Sequence, residues 1–408
     1  MMLDVEKIRL DFPMLQGKLM QNKPLIYFDN GATTLKPQCV IDAIEDYYKN
    51  YCANAHRGDY DIAHKVDETY DNVRQKVAKF INAEANEIVF TSGTTMSLNM
   101  IAHGLKDITE DDEILITEAE HASNVLPWFK LSEKTHCKIK YIELTDEGRL
   151  TVENLKKALS SHTKIVSLAQ ITNVLGFEFD VKSFAKIIHE NGSLFILDGA
   201  QSVPHMKIDV KDLDVDFLAF SGHKMCGPTG IGVLYGKYEL LDKLDPVLTG
   251  GGMNTKFDTC GNIGYLESPL KFEAGTQNIA GVIGLGAAID YLNKIGMDNI
   301  HDYEKKLHDY AIKKLKELDN IILYNSNADS GIITFNVKNV FAQDTASLFN
   351  SYGIAVRSGQ HCAKILLHKL NTDATVRASL YFYNTFEEID AFIEACKKGG
   401  DFLDAYFN

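Results

Sequence analysis

The sequence contains no C-x-x-C pair and none of the cysteine and histidine spacings typical of zinc fingers. Its seven cysteines are an odd number and lie far apart along the chain. This distribution argues against a disulfide framework and a structural metal site, and it is typical of a reducing compartment. We therefore expect a cytoplasmic protein that holds no metal.

The chain also lacks an apolar run of transmembrane length. Its first ten residues mix charged and apolar side chains in an amphipathic helical pattern and contain no signal-peptide core. The formal net charge is −14, and no arginine-rich arm offsets it. We expect neither a membrane nor a nucleic acid as a partner.

Apolar segments alternate with helix-like segments from about residue 26 to residue 235. This alternation is typical of a mostly parallel sheet with helices on both faces. A glycine-rich stretch, 249–253, interrupts the pattern, and an apolar helix is predicted over 281–295. A smaller mixed region follows, in which Thr385–Glu388 reads as a capping box. The sequence therefore predicts an α/β fold with a large domain and a smaller one.

A lysine follows one of the predicted buried strands. The tetrad Ser221–Lys224 comes directly after the apolar run 215–220. Such a position lowers the pKa of a lysine amine and frees it to form a Schiff base. An isolated lysine in this place would more simply be a solvated loop residue. The neighbouring strand ends favour the Schiff base.

A carboxylate follows another of these strands, where the apolar run 193–197 ends in Asp198. Ligands of open α/β sheets bind outside the carboxyl ends of the strands, so Asp198 and Lys224 are expected to face one cleft. The pair suggests pyridoxal 5'-phosphate (PLP), whose aldehyde binds a lysine and whose pyridine nitrogen needs an anion.

A third strand, 87–90, leads into a turn that contains Thr94 and Thr95 and opens a helix-like segment. Backbone N–H groups at a helix N-terminus suit a phosphate, although a plain helix cap is the alternative. His121 and Asn173 follow two further apolar runs. His121 is a candidate to stack on the cofactor and to move protons, and Asn173 to bond a ring hydroxyl or a substrate carboxylate.

Together these motifs resemble the class V, fold type I PLP enzymes, and among them the SUF-type (group II) cysteine desulfurases and selenocysteine lyases. The resemblance covers nearly the whole chain. It rests on the segments 29–37, 56–58, 93–95, 120–121, 198–201, 221–224, 272–276, 357–363 and 377–381.

The resemblance implies a fold type I PLP-dependent transferase. Its large PLP-binding domain is expected over residues 26–290, and residues 1–25 and 291–408 are expected to form the small domain. Two chains would form a homodimer with active sites at the interface, for which 56–58 and 250–253 are candidate elements. The implied cofactor contacts are Lys224 with the aldehyde, Asp198 with the pyridine nitrogen, Gln201 with the phenolic oxygen, His121 with the ring, Thr94, Thr95, Ser221 and His223 with the phosphate, and Thr276 with the phosphate from a second subunit.

Cys362 decides which reaction the resemblance implies, because sulfur abstraction needs a thiol. Cys362 follows His361 and lies between Arg357 and Arg377. A nearby imidazolium or guanidinium favours the reactive thiolate, although a free cysteine is often only a small buried hydrophobe. Arg377 offers the planar fork that an amino-acid carboxylate requires, and Arg357 is a second candidate for substrate binding.

The implied reaction converts L-cysteine to L-alanine and leaves the sulfur on Cys362 as a persulfide, for iron–sulfur cluster or other sulfur-cofactor assembly. The cysteine-bearing segment looks short, as in relatives that use a sulfur-acceptor protein of the SufE or SufU type. The chain departs from the family pattern at Met96 and Gln360, which bears on how that partner docks. A selenocysteine lyase acting on L-selenocysteine, another class V enzyme and a non-enzymatic scaffold are the alternatives.

Overall fold

The computed structural model describes residues 3–56 and 58–399. Arg57, part of the expected interface element 56–58, lies outside the described residues. The helices are α1 (Val5–Arg9), α2 (Gln38–Asn50), α3 (Asp61–Ile81), α4 (Thr94–Gly104), α5 (Leu126–Thr135), α6 (Val152–Ala158), α7 (Val181–Glu190), α8 (Val210–Leu213), α9 (Tyr238–Lys243), α10 (Ile279–Ile295), α11 (Met297–Leu315), α12 (Ala342–Ser351), α13 (Lys364–Lys369) and α14 (Phe386–Lys397).

The strands range from two to seven residues. They are β1 (Leu19–Met20), β2 (Lys23–Pro24), β3 (Ile26–Tyr27), β4 (Ile88–Thr91), β5 (Glu113–Thr117), β6 (Lys138–Ile142), β7 (Thr163–Ala169), β8 (Leu194–Asp198), β9 (Phe217–Ser221), β10 (Gly232–Gly236), β11 (Asn254–Phe257), β12 (Ile263–Tyr265), β13 (Ile321–Leu323), β14 (Ile332–Val337), β15 (Ile354–Ala355), β16 (Arg357–Gly359) and β17 (Thr375–Ser379).

The large sheet has seven strands in the order β4-β10-β9-β8-β7-β5-β6. Strand β10 is antiparallel to both of its neighbours, and the remaining pairs are parallel. Strands β4, β5, β7, β8 and β9 therefore all end at one edge of the sheet. Strands β4, β5 and β9 are buried along their whole length, as expected for a sheet covered on both faces. The α/β fold with a mostly parallel sheet is confirmed.

The apolar helix α10 packs against α2 and α3 in the main core. It is buried around most of its circumference, because its sequence is apolar on nearly every side. Gly286 allows α3 to approach closely, since a Cβ added there would lie 2.5 Å from Cγ2 of Val73. The prediction of a long apolar helix in this region is confirmed.

The smaller sheet is antiparallel, with the strand order β13-β14-β17-β16. Helices α11, α12 and α14 contact it through a second apolar core. Helix α14 begins with the expected capping box, in which Thr385 Oγ1 accepts from the Glu388 N–H and the Glu388 carboxylate accepts from the Thr385 N–H.

The N-terminal segment lies against the C-terminal part of the chain. Arg9 donates to the Tyr383 carbonyl and pairs with Glu388 at 2.9 Å. Strand β3 pairs in parallel with β15, and Phe28 is buried in the C-terminal core. The division into domains at residues 25 and 290 stays a prediction, and these contacts place residues 26–28 beside the smaller sheet.

Replacing Gly286 by alanine should destabilise the protein by about 1–3 kcal/mol, because the added methyl group collides with Val73. This loss exceeds the roughly 1 kcal/mol that alanine gains over glycine in a helix. The midpoint of thermal unfolding would measure it. Val73→Ala removes the colliding atoms, so the double variant should lose less than the sum of the two single losses. Additive losses would contradict the packing argument.

Candidate active site

A cavity of about 270 Å³ opens at the edge where the parallel strands end. Every predicted site residue except Thr276 lines it. The residues that line it are Gly31, Ala32, Thr94, Thr95, His121, Ser123, Ala169, Ile171, Asn173, Asp198, Ala200, Gln201, Ser221, His223, Lys224, Arg357, His361, Cys362 and Arg377.

Lys224 and Asp198 reach this cavity from adjacent strands. Asp198 is the last residue of β8 and is 4% exposed, and its Oδ1 accepts from the Ala200 N–H at 2.9 Å. Burial raises the pKa of Asp198, against the effects of that hydrogen bond and of Lys224. Burial, with help from Arg377 and Arg357, lowers the pKa of Lys224 to about 8, although Asp198 opposes the shift. Roughly a tenth of the lysine is therefore an uncharged amine at pH 7, far more than for an exposed lysine.

The turn that carries Lys224 is held through the carbonyl oxygen of His223. This oxygen accepts from the N–H and hydroxyl of Thr34, the hydroxyl of Thr33 and the Lys36 amine, at 2.8–3.2 Å. Burial lowers the pKa of Lys36 to about 8. Lys36 belonged to a recognised motif, but local sequence gives no sign of its contact with a turn 187 residues away.

The start of helix α4 forms an anion cradle. Thr94 is the first residue of the helix, and both its N–H and its hydroxyl lie within 2.9 Å of Ser221 Oγ. Thr95 Oγ1 lies 2.7 Å from Ser123 Oγ. Burial and the nearby Lys224 lower the pKa of His223 to about 4, which leaves its ring neutral. The cradle therefore presents hydroxyl groups, an imidazole and a helix N-terminus to a phosphate.

His121 lies in the cavity wall as a neutral imidazole. Its Nδ1 accepts from the Ser123 N–H at 3.1 Å, so the proton of the neutral ring is on Nε2. Burial, with the cations Lys224, Arg377 and Arg357, lowers the pKa of His121 to about 4. The ring is thus a hydrogen-bond donor at Nε2 rather than a group that titrates near pH 7.

Arg377 is 2% exposed, and its guanidinium lies beside polar groups of two other segments. Its Nη1 donates to the Asn173 carbonyl at 2.8 Å, and its Nη2 lies 3.6 Å from Asp29 Oδ1. Burial lowers the pKa of Arg377 to about 10, which leaves the guanidinium charged at neutral pH. Its Nε is buried and has no hydrogen-bond partner among the described residues.

Gly31 makes room for this guanidinium, because a Cβ added there would lie 3.2 Å from Arg377 Cζ. The Gln201 amide donates to the Gly31 carbonyl at 2.8 Å. The Asn173 amide N–H donates to the His361 carbonyl, which leaves Oδ1 buried without a partner among the described residues. A free amide oxygen can accept from a ring hydroxyl, and both expected roles of Asn173 stay predictions.

Cys362 is exposed at the cavity mouth and is carried by a turn with fixed geometry. His361 and Cys362 both have left-handed backbones, with φ of 50° and 58°. The Ala122 N–H donates to the Cys362 carbonyl at 2.8 Å, and the Ala363 N–H donates to the Gln360 carbonyl at 2.8 Å. Sequence reasoning did not find these anchors, because they depend on backbone conformation.

The expected imidazolium beside Cys362 is not supported. His361 is buried, and its Nε2 donates to the Thr375 carbonyl at 3.0 Å. Burial and Arg377 lower the pKa of His361 to about 3, so its ring is neutral. The guanidinium groups of Arg357 and Arg377 line the same cavity as Cys362.

Thr276 lies in a separate cavity of about 210 Å³, which Ser92 and Met96 also line. It therefore does not reach the cavity of its own chain, and its expected contact from a second subunit stays a prediction.

Among the described residues, no helix is both long and apolar enough to span a membrane.

Comparison with known sequences gives matches along nearly the whole chain. The Aminotransferase class-V family model matches residues 26–392. A probable cysteine desulfurase of Halalkalibacterium halodurans is 43% identical over 408 residues, covering 99% of this chain and all of the relative. One of Staphylococcus aureus is 44% identical over 412 residues, covering 99% of this chain and 98% of the relative.

Solved structures give the same result. The cysteine desulfurase of Thermococcus onnurineus is similar with a TM-score of 0.91 at 39% identity, covering 96% of this chain and 97% of that one. The cysteine desulfurase CsdA of Escherichia coli is similar with a TM-score of 0.91 at 35% identity, covering 98% and 99% of the two chains. The fold is that of the fold type I PLP enzymes. The chain belongs to the class-V aminotransferase family.

Proposed function

We propose that the protein is a PLP-dependent cysteine desulfurase, which converts L-cysteine to L-alanine and keeps the sulfur on Cys362 as a persulfide. The observation that carries this proposal is the convergence of a thiol, a lysine and a buried arginine on one cavity, since Cys362, Lys224 and Arg377 all line it. An aminotransferase or an epimerase needs no thiol at this place. Relatives named as probable cysteine desulfurases support the same reaction.

The polar groups of the cavity fit PLP. The Asp198 carboxylate suits the protonated pyridine nitrogen, and the Lys224 amine suits the aldehyde. The Asn173 amide oxygen can accept from a phenolic hydroxyl, and the second N–H of the Gln201 amide can donate to a phenolic oxygen. The start of α4 suits the phosphate. When bound, PLP supplies the electron sink that makes the Cα–H bond of an attached amino acid acidic.

Arg377 holds the carboxylate of the substrate. Its buried Nε and its distant contact with Asp29 leave part of the guanidinium fork free for an anion. Arg357 lines the same cavity and adds a second positive charge. Because the guanidinium is planar and nearly immobile, it orients Cα of the substrate as well as attracting it.

Lys224 transfers the protons of the reaction, and His121 donates a hydrogen bond. The Lys224 amine, with its pKa lowered to about 8, takes the proton from Cα and later returns one. The Ser123 N–H bonds His121 Nδ1 and so keeps the ring proton on Nε2. This Nε2–H donates a hydrogen bond to the reacting groups in the cavity. Burial of these groups excludes water from the reacting atoms.

Cys362 removes the sulfur. Its thiolate attacks the sulfur of the substrate, so that a sulfur–sulfur bond forms and the Cβ–S bond breaks. The bonding electron pair stays with the carbon fragment, which takes up a proton to give the methyl group of alanine. The sulfur remains on the protein as a persulfide, ready for transfer to a second thiol.

The proposal includes a homodimer. The hairpin β11–β12 and the segment before it expose Leu248, Phe257 and Ile263, and Phe257 is 75% exposed. Such apolar side chains on a projecting hairpin are typical of a surface covered by another chain. Thr276 points to the same assembly, because it lies outside the cavity of its own chain.

The proposal also includes a cytoplasmic location for this protein, a sulfur-acceptor protein of the SufE or SufU type and a role in SUF-type iron–sulfur cluster assembly. The cysteine-bearing segment supports an acceptor, because Cys362 lies at the mouth of the cavity in a turn fixed by backbone hydrogen bonds. A protein partner can therefore approach the sulfur from solvent.

Alanine release from L-cysteine under reducing conditions should fall by roughly two orders of magnitude or more in Cys362→Ser, because the nucleophile is lost. Cys39→Ser, a change at another exposed cysteine, should release alanine at the native rate. Equal rates from the native protein and Cys362→Ser would reject the persulfide step. Retained activity of Cys362→Ser on L-selenocysteine alone would indicate the selenocysteine lyase.

The rate at which PLP binds covalently should rise with pH, with a midpoint at about 8 and a plateau about one pH unit higher, because the uncharged Lys224 amine is the reactive form. Arg357→Gln should move this midpoint to higher pH, since Arg357 is one of the charges that lower the pKa of Lys224. Absorbance after rapid mixing at a series of pH values measures both. A midpoint unchanged by the substitution would contradict the electrostatic argument.

Alanine formation with dithiothreitol as the sulfur acceptor should be slow and should accelerate severalfold on addition of an acceptor protein of the SufE or SufU type. The reason is that persulfide removal from a fixed turn limits turnover. Titration of the acceptor at saturating L-cysteine measures the effect. Fast turnover with dithiothreitol alone would count against a dedicated acceptor.

A further inference from the structure

The outer strand of the large sheet is completed by an ion pair. Strand β4 is the first in the order of the sheet and has β10 as its neighbour. On its other edge, the Phe90 N–H donates to Glu273 Oε1 at 2.9 Å, and the Ile88 carbonyl accepts from Arg74 Nη1 at 2.7 Å. These are the groups that a further strand would bond, and leaving them buried without partners would cost free energy.

The two side chains are themselves joined in a forked pair. Arg74 Nη1 and Nη2 lie 2.8 Å from the two oxygens of Glu273, and the Tyr70 hydroxyl donates to Glu273 Oε2 at 3.1 Å. Arg74 is 5% exposed and Glu273 is 6% exposed. The guanidinium also lies 4.7 Å from the centre of the Phe90 ring. The carboxylate therefore bonds three groups on two segments of the chain, Tyr70 and Arg74 of α3 and the Phe90 N–H of β4.

The ion pair is connected to two segments that are expected to bind phosphate, one after β4 and one after Glu273. Strand β4 continues through Thr91, whose hydroxyl accepts from the Gly93 N–H, into the anion cradle at the start of α4. Glu273 precedes the turn that carries Thr276, the residue expected to reach the phosphate of the second subunit. A shift of the ion pair would displace both segments.

We propose that Arg74 and Glu273 are positioning residues for the cofactor phosphate, and that their ion pair takes the place of a neighbouring strand for β4. The pair fixes the cradle at Thr94 and Thr95 and the turn at Thr276 relative to each other. This inference rests on the proposed assignment of those threonines to the phosphate of PLP. Neither Arg74 nor Glu273 lines the cavity, so both act through the backbone.

The test compares PLP with pyridoxal, which lacks the phosphate. Full-length protein freed of cofactor is titrated with each compound, and the dissociation constants are read from absorbance. Arg74→Lys keeps a positive charge beside Glu273 but loses the fork, and Glu273→Gln keeps the size but loses the charge. Each should weaken PLP binding by roughly tenfold or more and change pyridoxal binding less than about twofold.

Glu113→Gln is the matched control. Glu113 is 5% exposed and accepts from Lys140 and Ser160, but it lies at the opposite end of the sheet from the cavity. The Glu113→Gln substitution should lower the midpoint of thermal unfolding and leave the ratio of the PLP and pyridoxal dissociation constants unchanged. If Glu273→Gln does not fold, Arg74→Lys and Tyr70→Phe, which removes one hydrogen bond from Glu273, give the same comparison.

Equal losses for PLP and pyridoxal, or no loss for either, in a folded variant would overturn the inference. A wild-type protein that binds PLP no more tightly than pyridoxal would overturn the phosphate assignment itself. That failure is visible before any variant is made, so the two failures are distinguishable.

Discussion

Desolvation at the carboxyl edge of the large sheet governs the chemistry of the cavity. Burial is the largest cause of every resolved pKa shift in the cavity wall, and it moves each group toward its uncharged form. The imidazoles become neutral, the lysine becomes partly neutral, and the guanidinium of Arg377 keeps its charge because the ordinary pKa of arginine is so high. Burial thus produces the nucleophilic amine of Lys224 and the neutral, hydrogen-bond-donating ring of His121, and it leaves Arg377 as the site for an anion.

The net charge of the protein is opposite in sign to the charge of the cavity. The chain as a whole carries a formal charge of −14, whereas the cavity is lined by Lys224, Arg357 and Arg377 against the single carboxylate of Asp198, and Asp29 lies behind Arg377. A positive cavity in an acidic protein concentrates small anions at one place and repels polyanions elsewhere. Both a phosphate group and an amino-acid carboxylate are small anions of this kind.

The sequence predicted those parts of the site that depend on where strands end. Buried strands are continuous apolar runs, so the polar residue after each run marks the carboxyl edge, which is how Asp198 and Lys224 were found together. The Lys36 contact and the Asn173 orientation were not predictable, because each depends on a hydrogen bond to a segment distant in sequence. The same holds for Arg74 and Glu273, which are separated by 199 residues and carry no local motif. The neutral ring of His361 was not predictable either, because it follows from burial in the folded chain and from the charge of Arg377.

The turn at His361 and Cys362 has a consequence for sulfur delivery under the proposed function. Its two left-handed residues and its carbonyl contacts with Asn173 and Ala122 hold the backbone of this turn in place. A thiol on such a turn does not move outward with a mobile loop, so an acceptor has to approach it. In that reaction, the rate of sulfur delivery follows the concentration of the acceptor, and a cell sets the flow of sulfur through the supply of the acceptor.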